Sequence, residues 1–331
     1  MPTSDRTPGA AEARAGANFA LIKYWGKADA RLNVPAVGSI SITLDALWSQ
    51  TRVELDEKLA ADEFSLNGRT RPEEQGKVSA CLDLLRARAR VTTRARITSR
   101  NNFPTGAGLA SSASGFAALV TAGAAALGLE LSPRERSVVA RQGSGSAARS
   151  VFGGFVEMHA GTAADGLDSF AEPLLEASAW PLEVVIAVTA TGEKEVGSRS
   201  GMTRSATSSP YYPAWVAGQP VDLAAARAAI ATRDFAALAD VAEHNCLKMH
   251  AAAIATRPPL VYWNGATVDC LHAVRRLRAT GAPVFFTIDA GPQVKAVCAS
   301  GTGRQVEAAL RNVPGVLDVL TSRLGPGAEL G

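Results

Sequence analysis

The stretch Asn102-Phe103-Pro104-Thr105-Gly106-Ala107-Gly108-Leu109-Ala110-Ser111-Ser112-Ala113-Ser114 constrains this chain most, because a glycine pair and two serines run straight into an alanine-rich segment. Gly106 and Gly108 admit positive φ and close backbone approach, and Ser111 and Ser112 fall where a helix's first unpaired N–H groups point outward. The helix dipole adds partial positive charge at that end, so the loop suits an anion, with phosphate its natural guest. No lysine follows the glycines as a Walker loop requires, and the spacing is not that of a dinucleotide fingerprint. A plain turn with an N-cap therefore stays open as the alternative.

The 331 residues, 47% hydrophobic and 20% charged, suffice for two domains with proper cores and exclude a disordered chain. A net charge of +3 is too mild to point to nucleic acid. Cys81, Cys246, Cys270 and Cys298 lack C-x-x-C spacing, which speaks against a disulfide framework or a zinc site and for a reducing cytoplasm. Residues 1–14 mix Pro, Gly, Ala and charge and are expected to form a disordered tail, with neither a signal peptide nor a membrane span in the chain.

Asn18 to Lys27 begins as an apolar strand and ends in Lys23-Tyr24-Trp25-Gly26-Lys27, which reads either as solvated lysines or as a grip on a multiply charged anion. Alternation predicts strands over 39–44, 47–55 and 91–99, with a turn at Asn67-Gly68, and helical spacing predicts a helix over 74–88. A helix follows Ser111 to about Leu127, and Ser132-Pro133-Arg134-Glu135 is a capping box that starts another. That helix leads into Gly143-Ser144-Gly145-Ser146-Ala147-Ala148-Arg149-Ser150, where one guanidinium stands among small residues; it is a surface arginine or a clamp for a carboxylate. Residues 172–180 read as loop, and Leu182–Val188 as the buried strand that opens a second domain. The polar run 189–213, with Lys194, Ser198, Arg199 and Arg204, is the expected mobile lid. Helices are expected over 224–232, 235–254 and 268–280, with His244 and His250 as structural histidines. The apolar strand after Pro283 ends in Asp289-Ala290-Gly291-Pro292, where Asp289 is either a cap for a following helix or a catalytic carboxylate.

Taken together, these motifs resemble the GHMP small-molecule kinase superfamily and, within it, the diphosphomevalonate decarboxylase family. The resemblance runs from about residue 15 to 325 and is carried by Ala20–Lys27, Gly106–Ser114, Gly143–Ser150 and Asp289–Pro292 in order. It implies an α+β fold of two-layer sandwiches. An N-terminal domain over 15–180, ribosomal-protein-like, would carry the ATP phosphate loop; a ferredoxin-like C-terminal domain over 181–331 would carry the lid and Asp289. It also implies a cytoplasmic homodimer that binds neither nucleic acid nor membrane.

The implied reaction takes mevalonate 5-diphosphate, ATP and Mg²⁺ to isopentenyl diphosphate, ADP, phosphate and CO₂. The resemblance assigns Asp289, Arg149 and Lys23 to catalysis: Asp289 on the 3-hydroxyl, Arg149 on the carboxylate, Lys23 keeping Asp289 ionised. Tyr24, Lys27, Ser144, Ser146, Ser198, Arg199 and Met202 match positions that hold substrate. Gly106, Ala107, Gly108, Leu109, Ala110, Ser111, Ser112 and Lys194 match positions around the ATP phosphates, with Ser112 the nearest ligand for Mg²⁺. Two departures stand out: Val34–Gly38, where many relatives carry asparagine or serine, so that no adenine contact is assigned there, and Gly16, where histidine or proline is usual. A phosphomevalonate decarboxylase gripping one phosphate, a kinase that stops at the 3-phosphate and a silent binding module are the rivals; Ser198-Arg199 favours the diphosphate.

Overall fold

The computed structural model describes residues 9–103, 111–192 and 194–331. In the first half the order is β1 (Ala10–Ile22), β2 (Lys27–Asp29), β3 (Val34–Pro35), β4 (Ser39–Asp56), β5 (Glu63–Leu66), β6 (Arg69–Thr70), α1 (Pro72–Ala89), β7 (Arg94–Asn101), α2 (Ser111–Ala126), α3 (Pro133–Gly143), α4 (Ala147–Ser150), β8 (Phe155–Met158) and β9 (Ala171–Leu175). The second half holds β10 (Leu182–Val188), α5 (Ser198–Ser208), α6 (Tyr212–Thr232), α7 (Phe235–Ile254), α8 (Gly265–Ala279), β11 (Val284–Ile288), β12 (Val294–Ala299), α9 (Gly303–Arg311), β13 (Asp318–Arg323) and β14 (Glu329–Leu330).

The first sheet runs β14-β1-β4-β7-β5-β6, with β8 also on β4 and β9 outside β8. Its spine is β1 against β4, antiparallel from Ala10↔Glu54 to Ile22↔Ile40 with register shifts near Gly16 and Ala20. At Gly16 a Cβ would stand 2.3 Å from the Leu44 carbonyl oxygen, so this backbone requires glycine there. Helices α1 to α3 cover one face, with Leu82, Leu85, Leu119 and Val120 buried on Val53 and Ile97. Each such side chain contributes about 1.5–3 kcal/mol by leaving water. Local signals set the helix ends: Pro72 opens α1, the Ser132/Glu135 capping box opens α3, and Asp234 and Asn264 cap α7 and α8.

The second sheet runs β11-β12-β10-β13, all antiparallel. In chain order this is strand 4-1-3-2, with the α5–α8 crossover after the first strand and α9 after the third, which is the ferredoxin-like arrangement that was expected. One apolar cluster spans both sheets, joining Phe19, Leu21, Ile40 and Ile42 to Val184, Ile186, Phe285 and Val297 through Leu223 and Leu238 of α6 and α7.

Several expectations are corrected. The disordered tail 1–14 is too long: β1 begins at Ala10, because Ala10 to Arg14 pair with β4, and Ala13 and Arg14 also with β14. Residues 39–44 and 47–55 belong to one continuous strand. The stretch 172–180 includes β9, and the C-terminal end leaves the second sheet, with Leu324 bridging Leu44 and β14 closing the edge of β1. The polar run 189–213 folds in part as α5, whose buried Gly201, Met202 and Ser205 lie four residues or fewer apart, and α6 starts at Tyr212 rather than near 224. Small residues hide that helical face from a hydrophobicity pattern.

Candidate active site

A cavity of about 520 Å³ is lined by the end of β1, the first turn of α2, the α3–α4 junction, α5 and the β11–β12 turn. Its deep end is organised by Asp289. The β11–β12 hairpin turns there, Gly291 N–H donating to the Asp289 carbonyl at 2.7 Å. No helix follows, so the capping reading of Asp289 is excluded. Lys23 Nζ reaches Asp289 Oδ1 at 2.8 Å and also donates to the Ala20 carbonyl at 2.7 Å, while Lys295 Nζ lies 3.4 Å from Oδ2. Lys23 and Lys295 are buried. Burial alone would push the Asp289 carboxyl up; Lys23, Lys295 and then Arg149 outweigh it and hold it well below the usual carboxylate range. Burial pushes Lys295 the other way, with Asp289 opposing.

Arg149 comes from α4, a single turn that buries its guanidinium. Nη1 donates to Ser39 Oγ at 2.7 Å and Nη2 to Asn18 Oδ1 at 3.1 Å, and Asn18 is fixed by donating to Ser146 O and Ser150 Oγ. Nε has no partner among the described residues. Burial lowers the Arg149 pKa to about 10, so the group stays cationic at neutral pH. The guanidinium is hydrogen-bonded only by neutral oxygens and makes no ion pair among the described residues, Asp289 acting on it from beyond contact, and a planar carboxylate is the group whose geometry matches it.

A second group of polar side chains, from Tyr24 and Lys27 to Ser198 and Arg199, lines the same cavity. The Tyr24 hydroxyl is buried without a partner among the described residues and lies over Gly145, where a Cβ would come within 2.3 Å of it. Burial pushes Tyr24 up to about 12, so it remains a hydrogen-bond donor. Lys27 Nζ meets Asn33 Oδ1 at 2.5 Å, and burial, then Arg199, lowers its pKa to about 8. Arg199 is exposed in the first turn of α5 and has no ion-pair partner among the described residues. Ser144 Oγ sits 3.3 Å from Ser112 Oγ, which joins the two small-residue loops. Lys194 donates to Ser198 Oγ at 3.0 Å and to the Ala290 carbonyl at 2.6 Å, and burial lowers its pKa.

All residues named from the sequence within the described part therefore line one cavity: Lys23, Tyr24, Lys27, Ser111, Ser112, Ser144, Ser146, Arg149, Lys194, Ser198, Arg199, Met202 and Asp289. Gly106, Ala107, Gly108, Leu109 and Ala110 lie outside the described residues. Met202 packs with Trp25, Trp215 and Met249, so its main contacts are apolar. His250 is buried and neutral, pushed down to about 3 by burial, with Nε2 at 3.3 Å from both Ile288 O and Trp263 Nε1; exposed His244 is not in the cavity. Reading the sequence missed Lys295, Asn18 and Ser39. For Lys295 a signal existed: one lysine inside the apolar run of β12, six positions after Asp289. Asn18 and Ser39 reach Arg149 only through the fold.

Comparison with known proteins fits this layout. The diphosphomevalonate decarboxylase-like N-terminal domain matches residues 15–171, and the mevalonate 5-diphosphate decarboxylase C-terminal domain matches 184–317. The chain is 42% identical to diphosphomevalonate decarboxylase mvd1 of Aspergillus fumigatus over 88% of its length and 77% of that protein, and 37% identical to the Homo sapiens diphosphomevalonate decarboxylase over 87% and 76%. Among solved structures it is similar to mevalonate diphosphate decarboxylase from Staphylococcus aureus (TM-score 0.92, 38% identity, 97% of this chain and 98% of that one). It is also similar to MDDEF in complex with MVAPP, AMPPCP and magnesium (TM-score 0.90, 40% identity, 97% and 98% coverage). With two halves that match in order, relatives well above 30% identity and the GHMP kinase fold throughout, the chain belongs to the diphosphomevalonate decarboxylase family.

Proposed function

We propose that this protein catalyses the ATP-dependent decarboxylation of mevalonate 5-diphosphate to isopentenyl diphosphate, with the residues of the cavity in the roles that follow. The observation that carries the assignment is the Lys23–Asp289 pair, backed by Lys295, facing the same cavity as a buried arginine that makes no ion pair among the described residues. The tertiary 3-hydroxyl is a poor leaving group, so ATP first phosphorylates it. Asp289, held ionised, accepts the hydroxyl hydrogen bond and aims its oxygen at the γ-phosphorus. Such a weak base takes the proton late, as the new O–P bond forms, which suits a loose transition state. Phosphate then leaves with the C3–O electron pair, the carboxylate's C–C pair becomes the new double bond, and CO₂ departs. Arg149 holds that carboxylate in the plane the elimination needs.

Tyr24, Lys27, Ser144, Ser146, Ser198 and Arg199 would grip the diphosphate, and Ser111, Ser112 and the preceding glycine loop the ATP phosphates, with Lys194 closing from the α5 side. Among the described residues no three His, Cys, Asp or Glu side chains gather as a metal site. Mg²⁺ therefore fits as an ion held mainly by phosphate oxygens, with the Ser112 hydroxyl at its edge, an all-oxygen set of the kind it prefers. Bound there, it would neutralise charge on the transferring phosphoryl group. The same reading makes the protein a cytoplasmic homodimer without nucleic-acid or membrane partners; all four cysteines are free thiols, as a reducing compartment keeps them.

The test is release of CO₂ from C1-labelled mevalonate 5-diphosphate and 5-phosphate, with ADP followed in parallel. ATP-dependent release from the diphosphate is the expected result. Preference for the monophosphate would make the protein a phosphomevalonate decarboxylase, and ADP without CO₂ would make it a 3-kinase.

A further inference from the structure

At Lys23 the backbone has left the β1–β4 ladder, whose last pair is Ile22↔Ile40. A buried peptide without ladder partners must find others, and here two amide side chains from the opposite half of the molecule supply them. Lys23 N–H donates to Asn245 Oδ1 of α7 at 2.8 Å, and Gln219 Nε2 of α6 donates to the Lys23 carbonyl at 2.8 Å and to the Gly38 carbonyl at 3.3 Å. The two amides are joined to each other: Asn245 Nδ2 donates to Gln219 Oε1 at 2.8 Å and to Asp222 Oδ2 at 2.5 Å, and Lys248 Nζ pairs with the same Asp222 oxygen. Gln219 and Asn245 are fully buried. The pattern fixes both amide orientations, because only the carbonyl oxygen of Asn245 can accept from Lys23 N–H while its NH₂ faces a carboxylate.

We infer that Gln219 and Asn245 are positioning residues for the reaction: they set the height of the Lys23 ammonium against Asp289. This rests on the catalytic role proposed for that pair. The mechanical case is direct. Asp289 follows the last residue of β11 in the second sheet and Lys23 the last residue of β1 in the first, so their 2.8 Å contact depends on how the two halves are pinned. The clamp fastens the α-carbon that carries the lysine to α7, which packs beside β11, and to α6, which packs on α7, and Cys246, the neighbour of Asn245, accepts from Ile288 N–H at 3.2 Å, one residue before Asp289. One stretch of α7 therefore touches the backbone on both sides of the ion pair. A fully satisfied buried network of this kind rigidifies what it holds.

The experiment is a double-mutant cycle on the full chain using Asn245→Ala, the near-isosteric Gln219→Met, and Lys23→Met. Each clamp variant is expected to lower kcat about tenfold or more while leaving KM for ATP and for the diphosphate within about twofold, since the grip residues are untouched. In the Lys23→Met background, adding either clamp substitution is expected to change kcat less than about twofold, because there is no ammonium left to position. Losses that multiply in the double variants, losses that appear in KM, or an unchanged kcat in a folded Gln219→Met protein overturn the inference. If Lys23→Met alone leaves kcat intact, the catalytic reading of the pair fails instead, so the two failures are told apart.

Discussion

Around Asp289 the charges already answer one another: each carboxylate oxygen faces one lysine, Lys23 is further tied to Ala20, and its peptide is clamped on both sides. Around Tyr24, Lys27 and Arg199 they do not. A hydroxyl is buried without a partner, a lysine is driven toward neutrality by burial and a neighbouring cation, and an arginine stands exposed without a carboxylate. The first region is finished before any ligand arrives, which is what positioning an attacking oxygen demands. The second is an excess of donors and positive charge that only a polyanion completes, so its binding energy is realised on association. Arg149 stands between them, as rigidly built as the first and as unpaired as the second.

The sharpest way to break this contrast is Asp289→Asn. Removing the finished carboxylate is expected to reduce activity about a thousandfold or more, some 4 kcal/mol in the barrier, with thermal stability lowered because Lys23 and Lys295 are buried and lose their counter-charge. A variant that keeps more than about a tenth of the CO₂ release, about 1.4 kcal/mol, sinks the assigned role. Arg149→Gln should act next most strongly and selectively. CO₂ release should drop about a hundredfold while ADP formation falls less, so the CO₂ to ADP ratio departs from one; an unchanged ratio would remove Arg149 from the elimination step.

On the open side the effects move to KM. Arg199→Ala is expected to raise KM for the diphosphate about tenfold with kcat little changed, and a KM that stays put would show that the exposed arginine is no part of the grip. The smallest effect concerns pH. With the Lys27 pKa lowered to about 8 by burial and Arg199, its charge is present below that pH and lost above it. The wild-type KM for the diphosphate should therefore rise a few-fold from pH 7 to 9, and Lys27→Arg, which cannot lose its charge in that range, should flatten the rise. Parallel profiles for the two proteins would place the titration elsewhere.

The residues to which the chemistry is assigned were legible because chemistry shows in residue type: a lysine and an aspartate at strand ends, an arginine among glycines and serines, and serines at a helix start. The start of α3 and the β5–β6 turn were legible for the same local reason, since a capping box with proline and Asn-Gly act through neighbours in sequence. Lys295 was passed over because a charge inside an apolar strand has meaning only beside the carboxylate it faces. The helix α5 was not read from the sequence because Met202 is the single apolar side chain beside Gly201 and Ser205 on its buried face, too little for a hydrophobicity pattern to mark.

By itself, then, the sequence determined the inventory of the site, the strand and helix types around it and the family the motifs point to. The tertiary structure decided the rest: the pairing of Ala10 to Arg14 with β4, which takes five residues from the supposed tail, the pairing of both Asp289 oxygens, and the hold on Lys23 by Gln219 and Asn245 from 196 and 222 positions away. The reason is range. Caps, turns and periodicity act over a few residues, whereas the desolvation and ion pairing that set a buried carboxylate's charge depend on whatever the fold brings within a few ångströms, irrespective of distance along the chain.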